Sequence, residues 1–556
     1  MRRWLLLLLI VSMLVAGCSG PWHHVSRNNG RSRKEGEVEQ EEPQAISTGI
    51  AAGSGRGGKL KREPVFARPT EQPPTAVASA PSNPIVRENR LPGTQSWKLS
   101  HLDAVSEREL GIGPSVSAKV ADDVHKQIKG YASATSVNLG QDITFYVTTN
   151  PPQPFTITVY RIGWYDGKGG RLVAHSGKLQ GRSQPECPLD ARTGLIECHW
   201  QPSWRLHVPT SWVSGYYLAK LTNSQGYDNY VPFVVRDDAS HSDLLVQAPF
   251  TTYEAYNDYP RDHRTGKSLY EFNSYGPNTI SGTTRAVEVS FDRPFDSTGA
   301  DHFLQWDVYF ITWVERMGYD VTYSTDVDTQ ERGDLLEHHK AFISIGHDEY
   351  WSRRMRENVQ RARDAGVNLA FFGGNDVFRH IRFAPSSSGV LDRIIVCYKS
   401  ARLDPVKGKG STVNWPNPPV SEPEQTLIGL NYGGMDKGGA DYVVTHADDW
   451  VYAGTGLHDG DRVRGLVGYE YDTFDPHAPM PPHRSYTLLA DSPIVKDGKV
   501  VGHGNTSIYQ APSGAWVFDA GSIWWGWGLD KPGVADPRIE RMTANILNRF
   551  AASRAR

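Results

Sequence analysis

Residues 341 to 350, Ala-Phe-Ile-Ser-Ile-Gly-His-Asp-Glu-Tyr, constrain this chain more than any other stretch. A mostly apolar run meets a glycine, and then an imidazole and two carboxylates arrive together. The run lacks period-two alternation, so it reads as a strand covered on both faces. Gly346 lets the chain turn sharply as it leaves the sheet. Ser352 then caps a helix over Arg353 to Ala365, a run of good helix formers ending at Gly366. Strand, polar turn and helix make half of a βαβ unit. Ligands of open α/β sheets sit outside the carboxyl ends of the strands. His347, Asp348 and Glu349 are therefore the first candidates for chemistry.

The surrounding sequence repeats the pattern. Leu244 to Ala248, Asp320 to Ser324 and Val367 to Phe372 read as strands. Trp306 to Met317 has helical spacing, with Trp306, Tyr309, Phe310 and Trp313 on one face. Further strands are expected near 394–399, 466–471 and 515–519, with a closing helix near 536–551. Alternating strands and helices predict a parallel sheet with right-handed crossovers over residues 237–556. Residues 99–236 read differently. Short alternating segments such as Ile143 to Thr149 and Phe155 to Tyr160, separated by Gly, Pro and Asn, predict a β-sandwich. The polar run Arg236 to Asp243 marks the boundary. In Tyr160-Arg-Ile-Gly-Trp-Tyr-Asp-Gly the aromatics could bind a ligand, but a packed sandwich edge is the preferred reading. Residues 18–98, rich in Pro, Gly, Ser, Arg and Glu, read as a disordered tether.

The first 17 residues read as a signal peptide: two arginines precede the apolar run Trp4 to Val15. The small residues before Cys18 resemble the lipobox of bacterial lipoproteins, which implies cleavage there and a lipid on the Cys18 sulfur. An ordinary secretory signal is the alternative. Ser19 resembles residues that permit sorting to an outer membrane. The expected location is the bacterial cell envelope, lipid-anchored, on the periplasmic or outer-membrane side. Cys187 and Cys198 flank a hairpin-like segment, and export to an oxidising compartment predicts a disulfide between them. Cys397, in an apolar strand, reads as a small buried residue. The net charge of -3 gives no electrostatic case for nucleic acid.

No G-x-S-x-G, H-E-x-x-H, C-x-x-C or phosphate loop occurs, and no cysteine follows the central strand. What remains are clusters at strand ends. Asp326 and Asp328 end one strand and read equally as helix caps. Asn375 follows another. Glu470 and Asp472, two apart, point to one face. Tyr256 and Tyr270 stand in loops after the first strand. Imidazole, carboxylate and phenol converging over one sheet edge can bind a hard cation.

These residues lie in stretches that resemble the large-subunit family of N,N-dimethylformamidase. The resemblance is carried by Y-R-I-G-W-Y-D-G-K-G-G, A-Y-N, S-L-Y, I-G-H-D-E-Y-W-S, F-F-G-G-N, V-G-Y-E-Y-D and W-G-W-G-L-D, over roughly 130 to 550. It implies a β-sandwich followed by a glutamine-amidotransferase-like, flavodoxin-like α/β part. It also implies one ferric ion, Fe³⁺, bound by Tyr256, Tyr270 and Glu349, with His347, Asn375, Glu470 and Lys399 in catalytic or supporting places. Asp348 stands where proline is expected in the enzyme that names the family. That enzyme is assembled with a small subunit, so an oligomer is open here.

The resulting expectation is an envelope-anchored, metal-dependent hydrolase of a C–N amide bond in a small-molecule substrate. The competing expectations are a non-catalytic lipoprotein that binds sugar or peptide in the same pocket, and another metal-dependent hydrolysis at the same site.

Overall fold

The computed structural model describes residues 83–99 and 119–552. The signal peptide, Cys18 and most of the expected tether lie outside the described residues. Residues 83–98, read as the end of that tether, are packed instead. Asn83 caps a short helix, Pro84–Asn89 (α1), by accepting hydrogen bonds from the backbone of Ile85 and Val86. Ile85 and Trp97 are buried. Two apolar anchors and a few polar contacts suffice to hold this segment, and average composition does not show them.

Eight strands follow: Lys129–Ala132 (β1), Ser136–Asn138 (β2), Asp142–Thr148 (β3), Phe155–Ile162 (β4), Gly170–His175 (β5), Trp204–His207 (β6), Gly215–Asn223 (β7) and Asp228–Arg236 (β8). They form a five-stranded sheet ordered β2-β8-β7-β4-β5 and a three-stranded sheet ordered β1-β3-β6. Ile143, Phe145 and Val147 alternate inward along β3 and join Val159, Ala219 and Phe233 of the larger sheet in one apolar cluster. Cys187 and Cys198 form a disulfide. Cys397 is buried, the one free cysteine among the described residues.

Beyond residue 236 lies a seven-stranded sheet. Its order is Val321–Thr325, Leu244–Ala248, Ala341–Gly346, Asn368–Gly373, Trp516–Asp519, Lys499–Gln510 and Ser485–Lys496. The first five strands run parallel and the last two antiparallel. The whole is thus a mixed α/β, largely β, fold. Ala341–Gly346 is buried at every position, as its unbroken apolar pattern requires. It pairs in register with Asn368–Gly373, so Gly346 and Gly373 end side by side. Ser352 caps the helix Arg353–Asp364. Asp326 and Asp328 belong to a helix start and not to the site: Thr325 and Asp328 form a reciprocal cap, and Asp326 accepts hydrogen bonds from Thr251. The helix Val308–Arg316 buries Phe310 and Trp313 as its spacing predicts, and one π-helical turn, Phe303–Asp307, precedes it.

Packing continues across residue 236. Tyr216, Leu218 and Val234 share one apolar cluster with Val246 and Val321. Arg161 of β4, in the aromatic motif that invited a ligand, is fully buried against Glu315 of the helix Val308–Arg316. Its two terminal nitrogens donate to the two carboxylate oxygens at 2.9 and 2.8 Å. Asn89, the last residue of α1, and Tyr323 also donate to Glu315. The motif is a clamp between layers.

Removing one partner of such a pair strands a buried charge. Glu315→Gln is expected to lower folding stability by about 3 kcal/mol, read as an earlier urea midpoint. Pairing Glu315→Leu with Arg161→Met recovers most of that loss, because an apolar pair of similar volume leaves no charge to solvate.

Candidate active site

Gly346 sets the geometry. Its φ is +73°, a region open to glycine, and a Cβ there would meet Asp307 Oδ1 at 1.9 Å. The turn sends His347, Asp348 and Glu349 over the carboxyl edge of the parallel strands, all three buried. Asp348 points down into the sheet. Its carboxylate accepts from Gln247 at 2.6 Å, Ser344 at 2.7 Å and Trp351 Nε1 at 2.8 Å. It anchors the turn and leaves the two flanking side chains free to face the other way.

Glu349 gathers the site. Tyr256, at the end of the helix Phe250–Tyr256, donates to Glu349 Oε2 at 3.0 Å. Tyr270 donates to the same oxygen at 2.7 Å. The two phenol oxygens are 2.8 Å apart. Arg379 Nε holds Glu349 Oε1 at 3.1 Å. His347 Nε2 lies 3.4 Å from Glu349 Oε2 and 3.3 Å from Glu470 Oε2. Its Nδ1 meets the Gly374 carbonyl at 3.1 Å, which is the consequence of the level strand ends. The Asn375 side-chain amide donates to Glu470 Oε2 at 2.9 Å, and its backbone N–H to Asp472 Oδ1 at 2.9 Å. Glu470 and Asp472 do share a face. Lys399 stands with its ammonium 3.6 Å from the centroid of the Tyr270 ring.

The electrostatics follow from burial and neighbours. Burial alone would raise the Glu349 carboxyl, but the hydrogen bond from His347 and the charges of Arg379, His347 and Lys399 outweigh it and hold it ionised. Burial would lower His347, yet Glu470 and Glu349 lift it to about 9. Glu470 is raised to about 7 by burial and Glu349, against the pull of His347 and Asn375. Burial and the Glu349 charge keep both phenols protonated, far above their ordinary range.

Three oxygens, from Tyr256, Tyr270 and Glu349, thus form a triangle with edges of 2.8, 3.0 and 2.7 Å. An octahedral ion with bonds of about 2.0 Å sets neighbouring donors about 2.8 Å apart. The donor set is hard and anionic once the phenols ionise, which fits a trivalent iron. Among the described residues no group of three or more His, Cys, Asp or Glu side chains is arranged to hold a metal. The two phenols are what this donor set relies on.

A cavity of about 470 Å³ opens onto Tyr256 and His347. Its walls include His302, Trp306, Trp524 and Trp527. His302 and Arg379 escaped sequence reasoning. His302 precedes Trp306 by one helical turn, the single signal that joined it to the site. Arg379 follows Asn375 in a strand with no distinguishing pattern.

Fold and site together define a mixed α/β protein with a buried, oxygen-rich cluster at the carboxyl edge of a parallel sheet. The chain belongs to the family described as N,N-dimethylformamidase beta subunit-like, C-terminal, whose model matches residues 156–539. Similar curated proteins are the N,N-dimethylformamidase beta subunits of Paracoccus aminophilus and Alcaligenes sp. They are 22% and 21% identical over 435 residues, covering 64% of this chain and 55% of each relative. The chain therefore spans about half the length of the curated relatives it matches. A solved cycloisomaltooligosaccharide glucanotransferase of Paenibacillus sp. aligns over 70% of this chain and 66% of its own at 8% identity. Its TM-score of 0.16 bears on neither fold nor function.

Gly346→Ala combines a left-handed φ with a collision, and is expected to cost about 2 kcal/mol or more in denaturant unfolding. Gly389→Ala, at φ +82° with nothing within 4 Å of the added carbon, is the matched control and should cost about 1 kcal/mol.

Proposed function

We propose that this protein hydrolyses a C–N amide bond at the Glu349 cluster, with iron held by Tyr256, Tyr270 and Glu349. The observation that carries the reading is the oxygen triangle set beside an imidazole–carboxylate pair, in a chain of this family. When bound, the ion would act as a Lewis acid on the amide carbonyl and on water.

The chain's own groups divide the remaining work. Arg379 holds Glu349 Oε1 and so leaves Oε2 aimed at the phenols. Lys399 rests on the Tyr270 ring, and the Arg379 charge favours its phenolate against burial and Glu349. His347 and Glu470, 3.3 Å apart, hold a proton between them that can pass to a departing amine. Asn375 fixes Glu470 Oε2 through its side-chain amide. One N–H of that amide is committed to the carboxylate, so Asn375 acts here as the holder of Glu470. Trp306, Trp524 and Trp527 give the cavity an apolar wall along which the amide can approach.

The finer fold reading, a β-sandwich joined to a glutamine-amidotransferase-like part, belongs to the same proposal. So does anchoring to the envelope through a lipid on Cys18. Among the described residues no helix is long and apolar enough to cross a membrane.

Protein purified without added metal is expected to carry about one iron per chain and a visible phenolate-to-iron band. Glu349→Ala should lose both, together with any amidase activity. Stoichiometric iron retained in Glu349→Ala would remove Glu349 from the ligand set.

A further inference from the structure

The cavity has a second polar feature, away from the oxygen triangle. Asp258, Asp296 and Asp301 line it together with Arg261. Asp258 is 1% exposed, and its carboxylate oxygens have no hydrogen-bond donor other than the carboxyl of Asp296. Asp296 lies within hydrogen-bonding reach of Asp258. Arg261 is the cation that faces all three carboxylates; Arg293, which also acts on Asp258, is engaged by Glu254. Lys129, close by, is engaged by Asp123. Three carboxylates against one guanidinium leave this wall short of positive charge.

A buried pair of carboxyls that shares a proton is costly to ionise unless a cation comes to it. We propose that Asp258 and Asp296 form a subsite for a primary ammonium group on the substrate. The substrate class is then an amino amide: an amide whose chain carries an ammonium near the scissile bond. This rests on the amide-hydrolase reading for the reaction, though not for the binding.

Spacing supports the assignment. Asp258 follows Tyr256 by two residues, so their backbones are no more than about 7 Å apart. An ammonium two or three carbons from the amide carbonyl spans that interval. For the opposite charge the cavity offers Lys437 and Lys531. Lys531, at the other side of the cavity, already rests 3.0 Å from the centroid of Trp527. Its neighbour Tyr309 stands eight residues from Asp301 along one continuous helical run, about 12 Å away. A bare metal ion is the poorer occupant, because no metal-holding group of His, Cys, Asp or Glu occurs among the described residues.

The test uses three amides of similar size: β-alaninamide with an ammonium, butanamide with a methyl, and succinamate with a carboxylate. Binding is measured by calorimetry on the full protein stripped of metal, and hydrolysis separately on the loaded protein. β-Alaninamide is expected to bind about tenfold or more tighter than butanamide. Asp296→Asn, and Asp258→Asn if it folds by circular dichroism, should abolish that preference while leaving butanamide binding unchanged. Equal binding of β-alaninamide and butanamide would overturn the subsite, as would tighter binding of succinamate, which would give the cavity to Lys531. Preferred binding of β-alaninamide without its hydrolysis would keep the subsite and refute the amidase reading.

Discussion

The Glu349 carboxylate is the interaction on which the site depends. It sits 1% exposed, where an unpaired charge would cost several kcal/mol. Arg379 takes one oxygen, and Tyr256, Tyr270 and His347 surround the other. Each partner comes from a different part of the chain: a helix after the first parallel strand, a loop, the sheet edge itself and a later strand. Losing the carboxylate would release all of them at once. The rest of the architecture serves to bring these pieces to one point.

Two devices do that. The first is the level ending of Ala341–Gly346 and Asn368–Gly373, which places His347 beside Gly374 and Asn375 beside Glu470. The second is the burial of Asp348 beneath the turn, where three donors satisfy it. Neighbouring residues on one short turn thus take opposite duties. Asp348 fixes the backbone, and His347 and Glu349 face the cavity side.

Much of this was legible in the residues. The mostly apolar run at 341–345, without period-two alternation, read as a doubly covered strand, and the spacing of Glu470 and Asp472 put both on one face. Other parts were invisible for physical reasons. Arg161 sits in a motif whose aromatics invite a ligand. Its partner Glu315 is 154 residues away, a pairing no local pattern reveals. Residues 83–98 have the composition of a tether, yet Ile85 and Trp97 hold them down. Arg379 carries no spacing signal and His302 only its place one turn before Trp306; the tertiary fold sets them beside Glu349 and Tyr256. The acidic wall formed by Asp258, Asp296 and Asp301 was missed because its members look like ordinary loop acids until their burial is known.

The account stands or falls on whether three oxygens from distant segments share one ion. Crystals of protein purified without added metal, measured on both sides of the iron absorption edge, address this directly. The expected result is one anomalous peak in bonding contact with the phenol oxygens of Tyr256 and Tyr270 and with Glu349 Oε2. A map with no peak there, the two phenols still hydrogen-bonded to an ionised Glu349, would contradict it.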